Sequence, residues 1–548
     1  MSNKVQVTIV AEADETTIYH KQGERLLDTL VSQGGYVLAS CGGRGTCGQC
    51  VVQFLAGIPL PSHADRAYFS PEQLRSGYRL ACMAKPMADC KLKVCFQKQK
   101  KMEIALDTAN AAGWRKDSGM LQCTKDIEHA GKGADGGRVT RCFIAVDLGT
   151  TTIAMQLVSL VTGEKLATYA VVNPQRSFGT DVISRIDASN HGKREELCKL
   201  VRRALEAGIV SLIEQAKKQY LDCEIDVIKH GDRFSIIPEY MIIAGNTTMG
   251  HLFMGYDTTS LGVHPFAPVK KGWIKTRLKD TPTILMPGIS AFVGGDIVSG
   301  IYASGIAETE EVNLLIDLGT NGEMAIGNRH RILCTATAAG PAFEGRITGG
   351  IFATDIIKIT ADMLRKGVMD ETGLLAETYF EAGYTVKLEE SLTENPKLCF
   401  TGENIKKQSE EMRIQQQDIR ALQMAKAAVY AGVQILIKQY GIRIDQISHV
   451  YLAGGFGMKL QVEDAARIGL FPEELQHKIA VVMNSSLRGA CMFGMQKNYD
   501  VKVREYTVTQ EKAKEAIEYI LAVMEEINLA KQPEFEDIYI ENLNFPVR

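Results

Sequence analysis

The chain has 548 residues, a formal net charge of −3 and 45% hydrophobic residues, a composition typical of globular proteins. A charge so close to neutral gives no electrostatic reason to expect a nucleic acid or a membrane as partner. There is no run of 18 apolar residues, and residues 1–14 read as a strand instead of a cleavable signal, so we expect a cytoplasmic protein.

The N-terminal part predicts a small β-rich module. Lys4–Val10 alternates as a half-buried strand does, with Thr16–His20 as its hairpin partner, and Val51–Leu55 and Lys91–Phe96 predict further strands. Ser70, followed by a proline and then by Gln73, predicts the start of a short helix.

Four of the thirteen cysteines follow the spacing C-x5-C-x2-C with one more distant member: Cys41, Cys47, Cys50 and Cys82. In a reducing compartment this grouping favours a metal over a disulfide framework. A [2Fe–2S] cluster needs four thiolates, and the glycines of this loop let its backbone fold close around the sulfides. A zinc finger would need C-x2-C pairs near both ends, which Cys41 and Cys82 lack. We predict a [2Fe–2S] cluster, and the loop resembles that of adrenodoxin-like ferredoxins, which have a β-grasp fold.

Residues 97–140 show no regular pattern. Basic and polar residues at 98–101 and the glycine-rich stretch Gly131–Gly137 predict a tether between domains.

A second pattern occurs twice beyond the tether. Ile144–Thr152 and Leu314–Glu323 each read as a buried strand that ends in an aspartate and a Gly-Thr turn. One such turn is ordinary turn chemistry, but two in matching contexts predict a clamp for nucleotide phosphates. The predicted phosphate-binding residues are Gly149, Thr150, Thr151, Thr152, Gly319, Thr320, Asn321 and Gly322. We expect Asp147 and Asp317 to hold Mg²⁺ or the attacking water, with Glu323 as the second choice.

Each aspartate strand is followed by two more strands, Ile153–Val158 and Lys165–Val172 in the first copy and Glu323–Gly327 and Arg331–Thr335 in the second. These duplicated meanders resemble the acetate kinase, Hsp70, actin and sugar kinase (ASKHA) superfamily. The resemblance implies a two-lobed ATPase that binds ATP and Mg²⁺.

Three further stretches end buried strands or open helices. They contribute the predicted cofactor-binding residues Asn246 and Thr247, then Gly294, Gly295 and Asp296, and finally Gly454, Gly455, Phe456 and Gly457, where the superfamily binds adenosine. Ala339–Gly345 is a rigid loop suited to face a partner. The stretches Met241–Met249, Gly294–Asp296 and Ala339–Gly345, each taken alone, also fit an ordinary strand-to-helix turn.

The sequence therefore predicts a multidomain protein of α+β and α/β class. The expected domains are a β-grasp ferredoxin over 1–96, a linker over 97–140, a first ASKHA lobe over 141–312 and a second lobe with the adenosine motif and a C-terminal helix over 313–548.

A cluster module joined to an ATPase suggests an electron that must move uphill, at about 2.3 kcal/mol for each 100 mV. The combined motifs resemble, nearly end to end, the ATP-dependent reductive activators of corrinoid proteins. The resemblance implies reduction of cob(II) to cob(I) by one electron passed through the cluster, in support of anaerobic methyl transfer. It also implies a corrinoid protein as partner, an external low-potential electron donor and a homodimer. Some members carry an extra middle domain, which we expect to be absent because the tether runs almost directly into Phe143.

Two alternatives remain open at this point. A small-molecule kinase would share the phosphate clamp, although it would have no evident use for a cluster. A ferredoxin-tethered binding module would use ATP to hold and release a partner without reducing it.

Overall fold

The computed structural model describes residues 4–10, 15–32, 43–46, 48, 50–94, 131–132, 138–223, 234–340, 353–374, 385–388, 398–401, 416–454, 460–496 and 509–547. Most of the predicted tether lies outside these ranges. None of the helices within them is long and apolar enough to cross a membrane.

The described part of the N-terminal module contains a five-stranded sheet and three short helices. The strands are β1 Lys4–Val10, β2 Glu15–Lys21, β3 Val51–Ala56, β4 Tyr78–Leu80 and β5 Cys90–Val94, in the order β2-β1-β5-β3-β4. The helices are α1 Leu26–Ser32, α2 His63–Tyr68 and α3 Pro71–Arg75. The helix start predicted at Ser70 is confirmed, because Ser70 and Gln73 form a reciprocal capping box. The sequence did not reveal α2.

A second sheet follows the tether. Its strands are β6 Gly131–Lys132, β7 Arg138–Leu148, β8 Thr152–Ser159, β9 Lys165–Val172, β10 Phe234–Gly245, β11 Ile274–Leu278 and β12 Thr281–Leu285, in the order β11-β12-β10-β7-β8-β9 with β6 beside β7. The meander β7-β8-β9 is antiparallel, as predicted. Strand β7 starts at Arg138, inside the predicted tether, because its backbone pairs with Phe234–Pro238 of β10. Its helices are α4 Val182–Ala188, α5 Arg194–Cys223, α6 Thr247–Met254 and α7 Gly295–Ser304.

A third sheet repeats this plan. Its strands are β13 Val312–Leu318, β14 Gly322–Gly327, β15 Ile332–Thr337, β18 Ile447–Gly454, β19 Ile479–Val481 and β20 Met524–Glu526, in the order β19-β18-β13-β14-β15-β20. A separate hairpin pairs β16 Thr385–Leu388 with β17 Leu398–Thr401. The described helices of this half are α8 Ala353–Arg365, α9 Gln416–Tyr440, α10 Val462–Arg467, α11 Ser485–Gln496, α12 Thr509–Val523 and α13 Phe535–Glu541.

The two larger sheets are joined by the helices α7 and α11. Phe143 of β7, Leu315 of β13 and Leu487 of α11 belong to one buried apolar cluster that spans both lobes. The helices cross closely, because a Cβ added to Gly489 of α11 would lie 2.1 Å from the Ser299 carbonyl oxygen of α7. This packing brings the carboxyl ends of β7 and β13, where the two predicted aspartates lie, to the same cleft.

Candidate functional site

The two strand-end aspartates meet at the first turn of α11. Asn484 Nδ2 donates to Asp147 Oδ2 at 2.7 Å, and the Ser486 hydroxyl donates to Asp147 Oδ1 at 3.0 Å. The Ser485 hydroxyl donates to Asp317 Oδ2 at 2.8 Å. A single turn therefore holds one carboxylate from each lobe.

A third carboxylate lies beside this pair. Asp296 stands in the first turn of α7, and burial raises its pKa to about 7, with the negative charges of Asp147 and Asp317 adding to the rise. Burial also raises the pKa of Asp147, whereas the hydrogen bonds from Asn484 and Ser486 favour its ionised form and lower it. This arrangement attracts a cation, because positive charge relieves the repulsion among the three acids.

The predicted phosphate loops also approach one another. The hydroxyls of Thr151 and Thr320, one from each lobe, lie 3.0 Å apart. Asn246 Nδ2 donates to the Thr150 hydroxyl at 2.9 Å, and a Cβ added to Gly294 would lie 2.5 Å from Asn246 Cα. The structure thus gathers Thr150, Thr151, Asn246, Gly294 and Thr320 around the acids.

Other predicted residues take supporting positions. A Cβ added to Gly149 would lie 2.5 Å from the Thr152 carbonyl oxygen, so this turn requires glycine. The Gly319 N–H donates to the Asn321 carbonyl at 3.0 Å, which closes the second turn on itself. Glu323, next to Gly322 at the start of β14, lies opposite Asp317 in the strand register and is buried. The Thr247 hydroxyl donates to the Ser290 carbonyl at 2.6 Å, and Gly295 begins α7.

Two side chains that the sequence analysis did not identify donate hydrogen bonds to the backbone of the first phosphate loop. The fully buried Arg185 guanidinium donates to the Thr150 carbonyl and to the Gly179 carbonyl, the latter at 2.9 Å. Asn173 Nδ2 donates to the Gly149 carbonyl at 2.9 Å. A lone arginine and a lone asparagine have no diagnostic spacing, so no sequence signal pointed to them.

The turn Asn484–Ser486 was also missed, although it does carry a signal. Asn484 Oδ1 accepts from the Leu487 N–H at 2.7 Å, which makes Asn484 the cap of α11. An Asn-Ser-Ser sequence before an apolar helix is a typical helix start. That signal predicts where the helix begins but not which cleft it enters.

The adenosine motif is only partly described. Strand β18 ends at Gly454, which pairs with Leu318 at the start of the second phosphate turn. A Cβ added to Gly454 would lie 2.3 Å from the Leu318 carbonyl oxygen, so the close approach requires glycine. Gly455, Phe456 and Gly457 lie outside the described residues, as do residues 341–345 of the predicted partner-facing loop.

Two of the four predicted cluster ligands are described. Cys50 and Cys82 are both buried, and the intervening Ala81 N–H donates to the Cys50 carbonyl at 2.7 Å. Gly43, Gly45 and Gly48 of the loop have φ of +85°, +77° and +65°, the left-handed region that favours glycine. The two thiols beside this loop fit a [2Fe–2S] cluster, while Cys41 and Cys47 lie outside the described residues.

Cys90 differs from these thiols. It lies on β5, paired with Val7 of β1, and burial raises the pKa of its thiol to about 11. A buried thiol with a raised pKa is a poor metal ligand, which supports the prediction that Cys90 does not hold the cluster.

The three acids fit a magnesium ion on the condition that a nucleotide supplies some of its ligands. In the described part of the chain, no three His, Cys, Asp or Glu side chains are grouped to hold a metal by themselves. Magnesium usually keeps several waters and takes only one or two carboxylates together with substrate phosphates. The cleft therefore fits a magnesium ion that arrives with a nucleotide.

Comparison with known proteins connects these observations. Three family models match the chain. The model of the RACo middle region matches residues 142–309, and the model of the C-terminal domain of RACo, which is its ASKHA domain, matches residues 311–355 and 346–548. The model of the 2Fe-2S iron-sulfur cluster binding domain matches residues 9–87. The middle-region model matches the lobe that begins beside Phe143, the stretch that the sequence analysis assigned to the first ASKHA lobe.

The chain is also similar to individual proteins. It is 28% identical over 445 residues to the corrinoid activation enzyme RamQ of Eubacterium limosum, covering 73% of this chain and 70% of that one. It is 25% identical over 399 residues to a [Co(II) methylated amine-specific corrinoid protein] reductase of Methanosarcina barkeri, covering 65% and 70%. A solved reductive activator for a corrinoid, iron-sulfur protein matches with a TM-score of 0.59 and 24% identity, covering 99% of this chain and 98% of that one, and so has the same fold.

Proposed function

The chain belongs to the family of ATP-dependent reductive activators of corrinoid proteins, and we propose that it reduces an inactive cob(II) corrinoid protein to cob(I). One electron passes through the [2Fe–2S] cluster, and ATP supplies the free energy that the uphill transfer needs. The reduced corrinoid then serves anaerobic methyl transfer. The observation that carries the proposal is the acid cleft between two duplicated lobes, in the same chain as a cluster module.

The residue roles follow from the cleft geometry. Asp147 and Asp317 hold magnesium or orient the attacking water, and Glu323, opposite Asp317 on β14, supports the water. Magnesium, when bound, neutralises charge on the phosphates. Residues that bind the nucleotide are Gly149, Thr150, Thr151, Thr152, Asn246, Thr247, Gly294, Gly295, Asp296, Gly319, Thr320, Asn321 and Gly322 for the phosphates, and Gly454, Gly455, Phe456 and Gly457 for adenosine. Cys41, Cys47, Cys50 and Cys82 hold the cluster.

The domain division that we propose is a ferredoxin module over 1–96, a linker over 97–140 and two ATPase lobes over 141–312 and 313–548. The three sheets, built from 4–94, 131–285 and 312–526, support the three folded parts, and β6 and the first residues of β7 bring the end of the predicted linker into the second sheet. A tethered module is able to meet two partners in turn, an external low-potential electron donor and the corrinoid protein.

We further propose a cytoplasmic homodimer that pairs through its ATPase lobes. This assembly rests on family resemblance. Light scattering of the protein at micromolar concentration checks it, and a mass equal to that of one chain would contradict it.

The decisive experiment mixes the protein with a cob(II) corrinoid protein, ATP, Mg²⁺ and a reductant under anaerobic conditions. We expect the cob(I) absorption spectrum to appear only when ATP is present. Phosphorylation of acetate, glycerol or a sugar without cob(I) would favour the kinase alternative. ATP-dependent binding of the corrinoid protein without a spectral change would favour the binding module.

A further inference from the structure

The first turn of α11 connects the two lobes through side-chain hydrogen bonds. Asn484 and Ser486 hold both oxygens of Asp147 from the first lobe, at 2.7 and 3.0 Å. Ser485 holds Asp317 from the second lobe, at 2.8 Å. Three consecutive residues thus fix the orientation of both predicted metal-binding carboxylates.

This turn is itself rigidly held. Ser299 of α7 donates to the Ser486 carbonyl at 2.7 Å, and at the far end of α11 the Tyr240 hydroxyl donates to the Gly494 carbonyl at 2.8 Å. Phe493 stacks on Trp273, with ring centroids 5.0 Å apart. The turn therefore moves only if α11 moves against the first lobe.

The residue types suit an orienting role. A carboxylate oxygen has two lone pairs, so Asp317 Oδ2 is able to accept from Ser485 and still bind a metal. Asn484 donates to Asp147 through Nδ2 while its Oδ1 caps α11 at 2.7 Å, and this double use fixes the orientation of its amide. Ser485 is fully buried and Ser486 is 3% exposed, so water competes little for their hydroxyls. Hydrogen bonds of this kind to ligating groups set metal affinity.

We propose that Asn484, Ser485 and Ser486 are positioning residues that set the magnesium affinity of the nucleotide cleft by fixing the two aspartates relative to each other. The inference rests on the proposed ATPase function and adds to it a source of affinity outside the predicted phosphate loops. It assigns the alignment of the two aspartates to one helix turn.

The test measures binding and not turnover. Equilibrium dialysis with a non-hydrolysable ATP analogue gives the Mg²⁺ concentration for half-maximal binding in the full-length protein. Ser485→Ala should raise that concentration roughly 10- to 100-fold, the usual effect of losing such a bond. Binding at saturating Mg²⁺ should stay close to that of the unaltered protein.

Two variants separate positioning from general damage. Ser485→Thr keeps the hydroxyl that donates to Asp317, so its Mg²⁺ requirement should lie closer to that of the unaltered protein than the requirement of Ser485→Ala does. Ser304→Ala removes another buried helix serine, one whose hydroxyl bonds its own helix at the Ile301 carbonyl, 2.9 Å away, and it should leave the requirement unchanged.

Ser486→Ala offers a second route if Ser485→Ala does not fold. It removes the bond to Asp147 and should raise the Mg²⁺ requirement in the same way. An unchanged requirement in a folded Ser485→Ala or Ser486→Ala protein would overturn the inference, and so would an equal rise in Ser304→Ala. If the unaltered protein showed no Mg²⁺-dependent nucleotide binding, the proposed function would fail as well, so the two failures are distinguishable.

Discussion

The cluster module and the nucleotide cleft are assembled in opposite ways along the chain. Three predicted thiolates lie within Cys41–Cys50. Strand β4 ends just before Cys82 and pairs with β3, which starts at Val51, and this pairing brings Cys82 close to Cys50. In the cleft, Asn484 and its partner Asp147 lie 337 positions apart, and Ser485 and Asp317 lie 168 apart. The first site depends on one loop and one strand pair, whereas the second depends on the packing of two lobes.

This difference implies that the two chemistries are separable. A side chain lost from the cluster loop should leave the cleft intact, because the cleft is built from other sheets. A side chain lost from the cleft should leave the cluster spectrum unchanged. Three experiments test this separation, and a fourth tests the structural role of Cys90 in the cluster module.

The largest effect should follow loss of a cluster ligand. Replacing Cys41, Cys47, Cys50 or Cys82 by Ala should abolish the visible spectrum of the [2Fe–2S] cluster, since four thiolates are required. ATP hydrolysis should persist. Cys90→Ala serves as the matched control, because Cys90 lies on β5 and burial raises the pKa of its thiol to about 11, and the cluster spectrum of this variant should be normal. Cluster loss in Cys90→Ala with a normal spectrum in Cys82→Ala would show that the fourth ligand is wrong.

The next largest effect should follow loss of a carboxylate from the nucleotide cleft. Asp317→Asn keeps the shape of the side chain but removes the charge that holds magnesium or water, so ATP hydrolysis should fall by roughly 10²- to 10³-fold. The cluster spectrum and its reduction by a chemical donor should not change. Cob(I) formation should fall together with hydrolysis, because the electron transfer is uphill. Normal cob(I) formation without hydrolysis would show that ATP does not drive the reduction.

A smaller effect should follow loss of the Arg185 side chain, which holds the backbone of the first phosphate loop. Arg185→Met removes the donor to the Thr150 carbonyl, and a bond from a charged donor contributes about 1.5–3 kcal/mol. We expect nucleotide affinity to weaken by about tenfold or more, with an unchanged cluster spectrum. Arg202→Met is the control, because Arg202 donates to the Arg277 carbonyl at 2.9 Å on the same lobe. Equal affinities in the two variants would refute a role for Arg185 in holding this loop.

The smallest effect concerns the Cys90 thiol. With its pKa raised to about 11 by burial, it stays protonated near pH 8, and thiolates are the species that react with iodoacetamide. Native protein should therefore be labelled at Cys90 far more slowly than unfolded protein. Labelling should accelerate as the pH rises toward 11, because the thiolate fraction grows. Mass spectrometry after timed alkylation measures this, and rapid native labelling at pH 8 would contradict the structural role.

Local patterns in the sequence were enough to predict much of the fold. The strands before Asp147 and Asp317, the capping box at Ser70 and the start of α7 at Gly295 were all predicted and are confirmed. These features depend on neighbouring residues, through side-chain alternation, cap hydrogen bonds and the conformational freedom of glycine. The duplicated strand-turn pattern also predicted that the two aspartates share a cleft.

Only the tertiary structure decided how that cleft is held together. Arg185, which donates to the Thr150 carbonyl, has no diagnostic spacing, and the Asn484–Ser486 sequence predicts a helix start but not its contact with the aspartates. Strand β7 extends to Arg138 because β10 pairs with it. Which carboxylate accepts from which hydroxyl depends on the crossing of α7 and α11, a contact between segments far apart in the chain. Local sequence patterns describe a residue's own strand or helix, whereas this positioning arises from the packing of one lobe against the other.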